Sequence, residues 1–218
     1  MLIDSYNQHS LKLEDRQLLE ELIQQFGVMQ GAELIALFLA VAYVVLAAKK
    51  SQWCWPAAAI STAIYTALFW HVSLVSESLL NGYYLVMAAW GWWNWRSQEA
   101  TSFISEQRSL QWHSIAILAC TLAALAWGYT AERWLSAELA YFDAATTTFA
   151  IFATWMLTQK IRANWLYWIV INLASILLYQ AKGLYITSLL MMIYTVMAIV
   201  GWYSWKRDDD RHLSPAGA

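Results

Sequence analysis

Glu77, Asn81, Tyr84 and Ala88 stand at i, i+4, i+7 and i+11 in an otherwise apolar stretch, so a helix would carry them on one face. A carboxylate costs about 2.5–3.5 kcal/mol at the centre of a bilayer and less near its edge. Glu77 therefore either faces a cavity or sits solvated at headgroup level, where the preceding turn His71 to Ser73 would put it. Asn81 is one turn deeper, and its amide can read the hydrogen-bonding edge of a heterocycle. Trp165, Trp168 and Asn172 form a second set at i, i+3 and i+7. Two indoles above an amide suit a flat ring that stacks while its polar edge bonds to Asn172. With Lys160 and Arg162 close by, Trp165 taken alone reads better as an interfacial anchor, whereas Trp168 and Asn172 are too deep for that. In the last apolar stretch, Tyr185, Ser188 and Met192 make one stripe and Met191, Tyr194 and Ala198 another. Asp143, with Thr146 and Thr147, could line an outer vestibule; Asp143 and Glu33 also complement the positive end of a helix.

Other chemistries are missing. There is no Gly-rich phosphate loop ending in Lys-Ser/Thr, no cluster of nucleophile, base and orienting residue, and no His/Glu metal spacing. Cys54 and Cys120 lie in different apolar stretches and read as inert buried thiols. A formal net charge of −2 provides no electrostatic footprint for nucleic acid. The expectation is a binding or transport protein, with no enzymatic activity, cofactor or metal.

The elements that must position these residues are membrane helices. Of 218 residues, 60% are hydrophobic and only 13% charged, and the apolar residues come in continuous blocks. Seven spans are expected, at roughly 30–48, 53–71, 74–95, 111–130, 141–159, 163–181 and 184–205, each near the ~20 residues a bilayer demands. The fold class is all-α integral membrane. Residues 1–29 read as an amphipathic extracytoplasmic segment and 207–218 as a cytoplasmic tail. No basic run, apolar core and cleavage site of a signal peptide precede the first span, so the segment is expected to persist. Nine basic residues fall on the side of Lys49 and Lys206 and four on the other, which places the C-terminus in the cytoplasm and the N-terminus outside.

Residues 33–96 align without a gap onto 143–206 at a constant offset of 110, with fifteen of 64 pairs identical. Glu33 pairs with Asp143, Lys50 with Lys160, Trp55 with Trp165 and Tyr84 with Tyr194. Gly91-Trp92-Trp93-Asn94-Trp95-Arg96 pairs with Gly201-Trp202-Tyr203-Ser204-Trp205-Lys206. Each copy holds three spans and one more separates them, so both enter the membrane in the same direction. This 3+1+3 order of two parallel three-helix bundles, 30–96 and 141–206 about a linker and fourth helix at 97–140, is the SWEET-like arrangement. Carriers of that kind bind substrate between the repeats near the bilayer midplane. Trp92, Trp95, Trp202 and Trp205, at the basic ends, read as belt residues.

The run Gln159-Lys160-Ile161-Arg162-Ala163-Asn164-Trp165-Leu166-Tyr167-Trp168-Ile169-Val170-Ile171-Asn172, followed by Lys182-Gly183-Leu184-Tyr185, resembles the K-x-x-x-N-W-x-x-W-x-x-x-N and G-x-Y signature of the PnuC-type vitamin transporters. The resemblance covers residues 33–206. It implies a homotrimer in the bacterial inner membrane that moves an unphosphorylated vitamin by facilitated diffusion, trapped by a cytoplasmic vitamin kinase. It further implies Gln at the place of Asn81 and Asn at the place of Ala88 in nicotinamide riboside carriers, and this chain departs at both. Glu77 is an added carboxylate. These departures point to thiamine, as in the PnuT branch, with Trp168 stacking, Asn172 or Asn81 bonding the aminopyrimidine and Glu77 offsetting the charge. Nicotinamide riboside and an ion-coupled carrier using Glu77 and Asp143 are the alternatives.

Overall fold

The computed structural model describes residues 31–71, 75–96, 107–135, 139–181 and 183–213; the amphipathic segment expected at 1–29 lies outside the described residues, as do most of the linker after Arg96 and the side chain of Glu77. Seven helices run through the described residues: α1 Gly31–Ala48, α2 Cys54–His71, α3 Val75–Arg96, α4 Leu110–Leu135, α5 Ala140–Thr158, α6 Asn164–Ala181 and α7 Tyr185–Leu213. They coincide with the expected spans except that α4 runs on to Leu135 and α7 to Leu213. The seven residues from Arg207 to Leu213, expected as tail, therefore continue the last helix, and Asp208, Asp209 and Arg211 there engage in ion pairs.

Three helix ends are closed in the same way. The backbone turns left-handed at Lys50 (φ 57°), Lys160 (φ 59°) and Gly183 (φ 70°). At Lys50 the amides of Lys50 and Ser51 donate back to the carbonyls of Ala47 and Leu46. Lys160 and Ile161 donate to Leu157 and Met156, and Gly183 and Leu184 to Gln180 and Tyr179, in the same pattern. This double bond satisfies carbonyls that a helix end otherwise leaves open. Glycine takes this conformation freely, whereas lysine does so at a cost of about 1–2 kcal/mol. Lys50 and Lys160 occupy equivalent points of the two copies, so the repeat extends to backbone conformation.

Packing follows chain order within each half: α1 on α2, α2 on α3, α5 on α6 and α6 on α7. Between the halves α1 meets α7 and α3 meets α5, while α4 rests on α5. Aromatic rings tie α4 in place, with Trp112 stacked near Trp155 at 6.3 Å and His113 Nδ1 3.1 Å from the Tyr167 hydroxyl. The outer surface is strongly apolar: Phe38, Trp93, Leu122, Val170, Leu177 and Val196 are all exposed. Leu110–Trp134 and Thr187–Arg211 have the length and apolar composition to cross a bilayer. A continuous apolar exterior of this extent requires lipid or protein around it.

Candidate functional site

Between the two halves lies a cavity of about 460 Å³, within the range typical of sites for small ligands. Among the described residues, every helix but α4 contributes to its wall. Helix α6 presents Trp165, Trp168, Asn172 and Tyr179, spaced i, i+3, i+7 and i+14, so a single helical face supplies two indoles, an amide and a phenol. Asn81, Tyr84 and Ala88 of α3 face it, as do Met191, Tyr194 and Ala198 of α7. The remaining wall includes Tyr43 of α1 and Trp55, Ser61, Thr62 and Tyr65 of α2. No Asp, Glu, Lys or Arg is among the described lining residues. The site is an aromatic box with two amides and a set of hydroxyls.

Two glycines shape the end of the box nearest Lys50 and Lys160. A Cβ on Gly91 would overlap the ring of Trp55, and one on Gly201 the ring of Trp165, so each indole lies flat on a helix only because no side chain is there. Trp55 meets Trp95 edge-on with centroids at 5.2 Å, and Trp165 meets Trp205 edge-on at 5.7 Å. Trp95 and Trp205 in turn face each other at 6.0 Å. The Trp205 indole donates to the carbonyl of Ala47 at 3.1 Å, and Trp95 to the carbonyl of Thr158 at 3.3 Å, where the Asn94 amide also donates at 2.7 Å. Each half thus caps the first helix of the other.

This corrects the expectation that Trp95 and Trp205 are belt residues. They are 3% and 0% exposed and sit between the halves, because their indole N–H groups reach carbonyls at the C-terminal ends of α1 and α5. Trp92 is half-buried beside them, and Trp202 lies under the Arg162 guanidinium at 4.9 Å. The anchor alternative for Trp165 fails equally, since the residue is buried and lines the cavity.

Of the residues singled out from the sequence, Asn81, Tyr84, Trp165, Trp168, Asn172 and Tyr194 come together in the cavity wall. Ser188 does not: it is buried, and its hydroxyl donates to the Ile176 carbonyl at 3.5 Å. Met192 is exposed, which leaves Met191, Tyr194 and Ala198 as the inward stripe of α7. Asp143 is exposed in the first turn of α5 and is not among the described residues of the cavity wall, and the Thr146 hydroxyl bonds back to its own helix. Glu77 lies in the first turn of α3, with its side chain outside the described residues; its repeat partner, Thr187, lines the cavity. Cys54 and Cys120 are free and buried, as expected. Sequence reasoning missed Tyr43, Tyr65, Tyr179, Ser61 and Thr62. Thr62 was accessible as the repeat partner of Asn172, and Tyr179 as the next inward position on α6.

Outside the spans, burial pushes the Lys160 ammonium down to about 8. Both Lys50 and Arg162 pair with Asp209, whose side chain is 1% exposed.

Residues 30–207 match the family described as nicotinamide mononucleotide transporter. The chain is 20% identical over 173 residues to the nicotinamide riboside transporter PnuC of Escherichia coli (strain K12), an alignment spanning 67% of this chain and 72% of that protein. PnuC of Shigella flexneri is similar to the same degree. Among solved structures, the fold is similar to the crystal structure of the vitamin B3 transporter PnuC, with a TM-score of 0.70 and 19% identity over 92% of this chain and 93% of that one.

Proposed function

This chain belongs to the nicotinamide mononucleotide transporter family, and we propose that it carries an unphosphorylated, cationic, flat-ringed vitamin across the bacterial inner membrane by facilitated diffusion. The observation that carries this reading is the box itself: three tryptophans, five tyrosines and two asparagines line it, with no charged side chain among the described residues. The faces of aromatic rings attract a delocalised cation, and more strongly away from water. A phosphate would arrive without an arginine or lysine to meet it, at a heavy cost of desolvation. The names of the relatives support nicotinamide riboside as the first ligand to test. Thiamine is the second reading, favoured by a specific observation: Asn81 and Ala88, the positions at which the chain departs from the resemblance, both line the cavity. An ion-coupled mechanism finds less support, since Asp143 is off the wall.

The same reading takes the protein as two parallel three-helix repeats in 3+1+3, SWEET-like order. The reciprocal contacts α1 with α7 and α3 with α5, and the paired indole bonds across the halves, support it. The end bearing Lys50, Arg162 and Arg211 is the cytoplasmic one by the positive-inside rule. The homotrimer and the kinase trap come from the family resemblance. Counterflow of radiolabelled nicotinamide riboside and thiamine in proteoliposomes without an ion gradient tests the proposal. Saturable exchange of either supports a passive carrier and names its vitamin, and flux of neither overturns it.

A further inference from the structure

Helix α7 runs past Lys206, where the second aligned copy ends, to Leu213. The extension carries Asp209, two residues beyond the segment that matches the family. Its carboxylate is divided between the halves: Oδ2 accepts from Arg162 Nη1 of the α5–α6 loop at 2.9 Å, and Oδ1 from Lys50 Nζ of the α1–α2 loop at 3.4 Å. Asp208 adds a second, longer contact to Lys50 at 3.8 Å. One turn back on the same helix, Trp205 bonds to Ala47 and packs on Trp165, which is already cavity wall. Trp95, Trp165, Trp205 and Asp209 are nearly or wholly buried, so this end of the cavity is shut.

We propose that Asp209 is the latch of this gate, clamping the first loop of each half at once, and that releasing it lets the halves part so that the cavity opens at the lysine end. The proposal rests on the carrier reading. An indole–carbonyl bond is neutral and exchanges readily for water. A buried carboxylate with two cations is a stronger, charge-assisted tie, and it is costly to break by removing one partner. The indole bonds come in a pair related by the repeat, whereas the single Asp209 carboxylate touches the first loop of both halves at once. One residue therefore governs separation of both.

The protein supplies its own reporter. Cys54 is wholly buried within the tryptophan cluster beneath the latch, and Cys120 lies on α4, away from it. Full-length protein in liposomes is treated with N-ethylmaleimide, and alkylation of each cysteine is followed by peptide mass spectrometry. In Asp209→Asn and in Arg162→Gln, Cys54 is expected to react at least about fivefold faster than in the unaltered protein, with the rate at Cys120 unchanged. Lys50→Gly, which keeps the left-handed turn, is expected to accelerate Cys54 as well and guards against an Asp209 variant that does not fold. Equal Cys54 rates in all variants overturn the latch, and so does acceleration of both cysteines together, which reports general loosening. Alkylation needs no vitamin, so that failure leaves the carrier reading standing; absence of counterflow in the unaltered protein overturns the carrier reading instead.

Discussion

Asn172 is 3% exposed and lines an aromatic cavity, which makes its amide the polar group with most to lose when a ligand that pairs with it is removed. Asn172→Ala is expected to weaken binding of the transported vitamin by at least ~1 kcal/mol, about fivefold in Kd, in a tryptophan-fluorescence titration. Unchanged affinity would take Asn172 out of the site. Lys160 makes a different kind of prediction. Its ammonium titrates near 8 in the fold, against 10.5 unperturbed. Between those values the unfolded chain holds the proton and the folded chain does not, so stability rises with pH through this window. The thermal midpoint of the purified protein should therefore climb from pH 8 to pH 10, and Lys160→Gln should flatten the climb. A midpoint that falls identically in both proteins would count against the burial of this charge. The aromatic and amide members of the site were visible in the sequence because helical spacing alone puts Trp165, Trp168 and Asn172 on one face. The exclusion of Ser188 and Asp143 was not, because spacing fixes the face of a helix but not which neighbour that face meets.

Helices in this protein approach each other where glycine permits it. Gly91 and Gly201 each receive a tryptophan ring, whereas nothing lies within 4 Å of a Cβ built on Gly82 of α3. Gly201→Ala forces Trp165 off its seat and is expected to destabilise the protein by about 1–3 kcal/mol, as overpacking does. Gly82→Ala adds a methyl to open space in a helix and is expected to stabilise by up to about 1 kcal/mol. Opposite shifts of the thermal midpoint in detergent test the pair, and equal shifts would remove the close approach at Gly201 as their cause. The glycine–tryptophan pairing was legible as a repeat at an offset of 110, since Gly91 with Gly201 and Trp55 with Trp165 both recur. What could not be read was that Trp95 and Trp205 turn inward. Tryptophan beside a basic residue has the same one-dimensional signature whether it anchors in headgroups or caps a helix of the opposite half, and only the packing of α1 on α7 and α3 on α5 decides. The left-handed lysines were hidden for a similar reason: a glycine announces such a turn, and a lysine does not.

At the scale of the whole molecule, the charges and the cavity are kept apart. Cations and carboxylates gather at the lysine end in the cluster of Lys50, Arg162, Asp208 and Asp209, while the described cavity wall holds none. A vitamin and its phosphate ester offer the same ring to the tryptophans and tyrosines, but the ester adds close to two negative charges, which the amides and hydroxyls of this wall cannot neutralise. On the proposed carrier reading, any vitamin esterified with phosphate after entry would be retained with no energy input from this chain, because the ester does not fit the path out. Nicotinamide mononucleotide is accordingly expected to compete for nicotinamide riboside binding at least about a hundredfold more weakly than the riboside itself, and thiamine monophosphate likewise against thiamine, a discrimination of roughly 3 kcal/mol. Competition of the ester at an affinity comparable to that of the free vitamin would place a cationic group in the transport path and would overturn the separation as the source of selectivity.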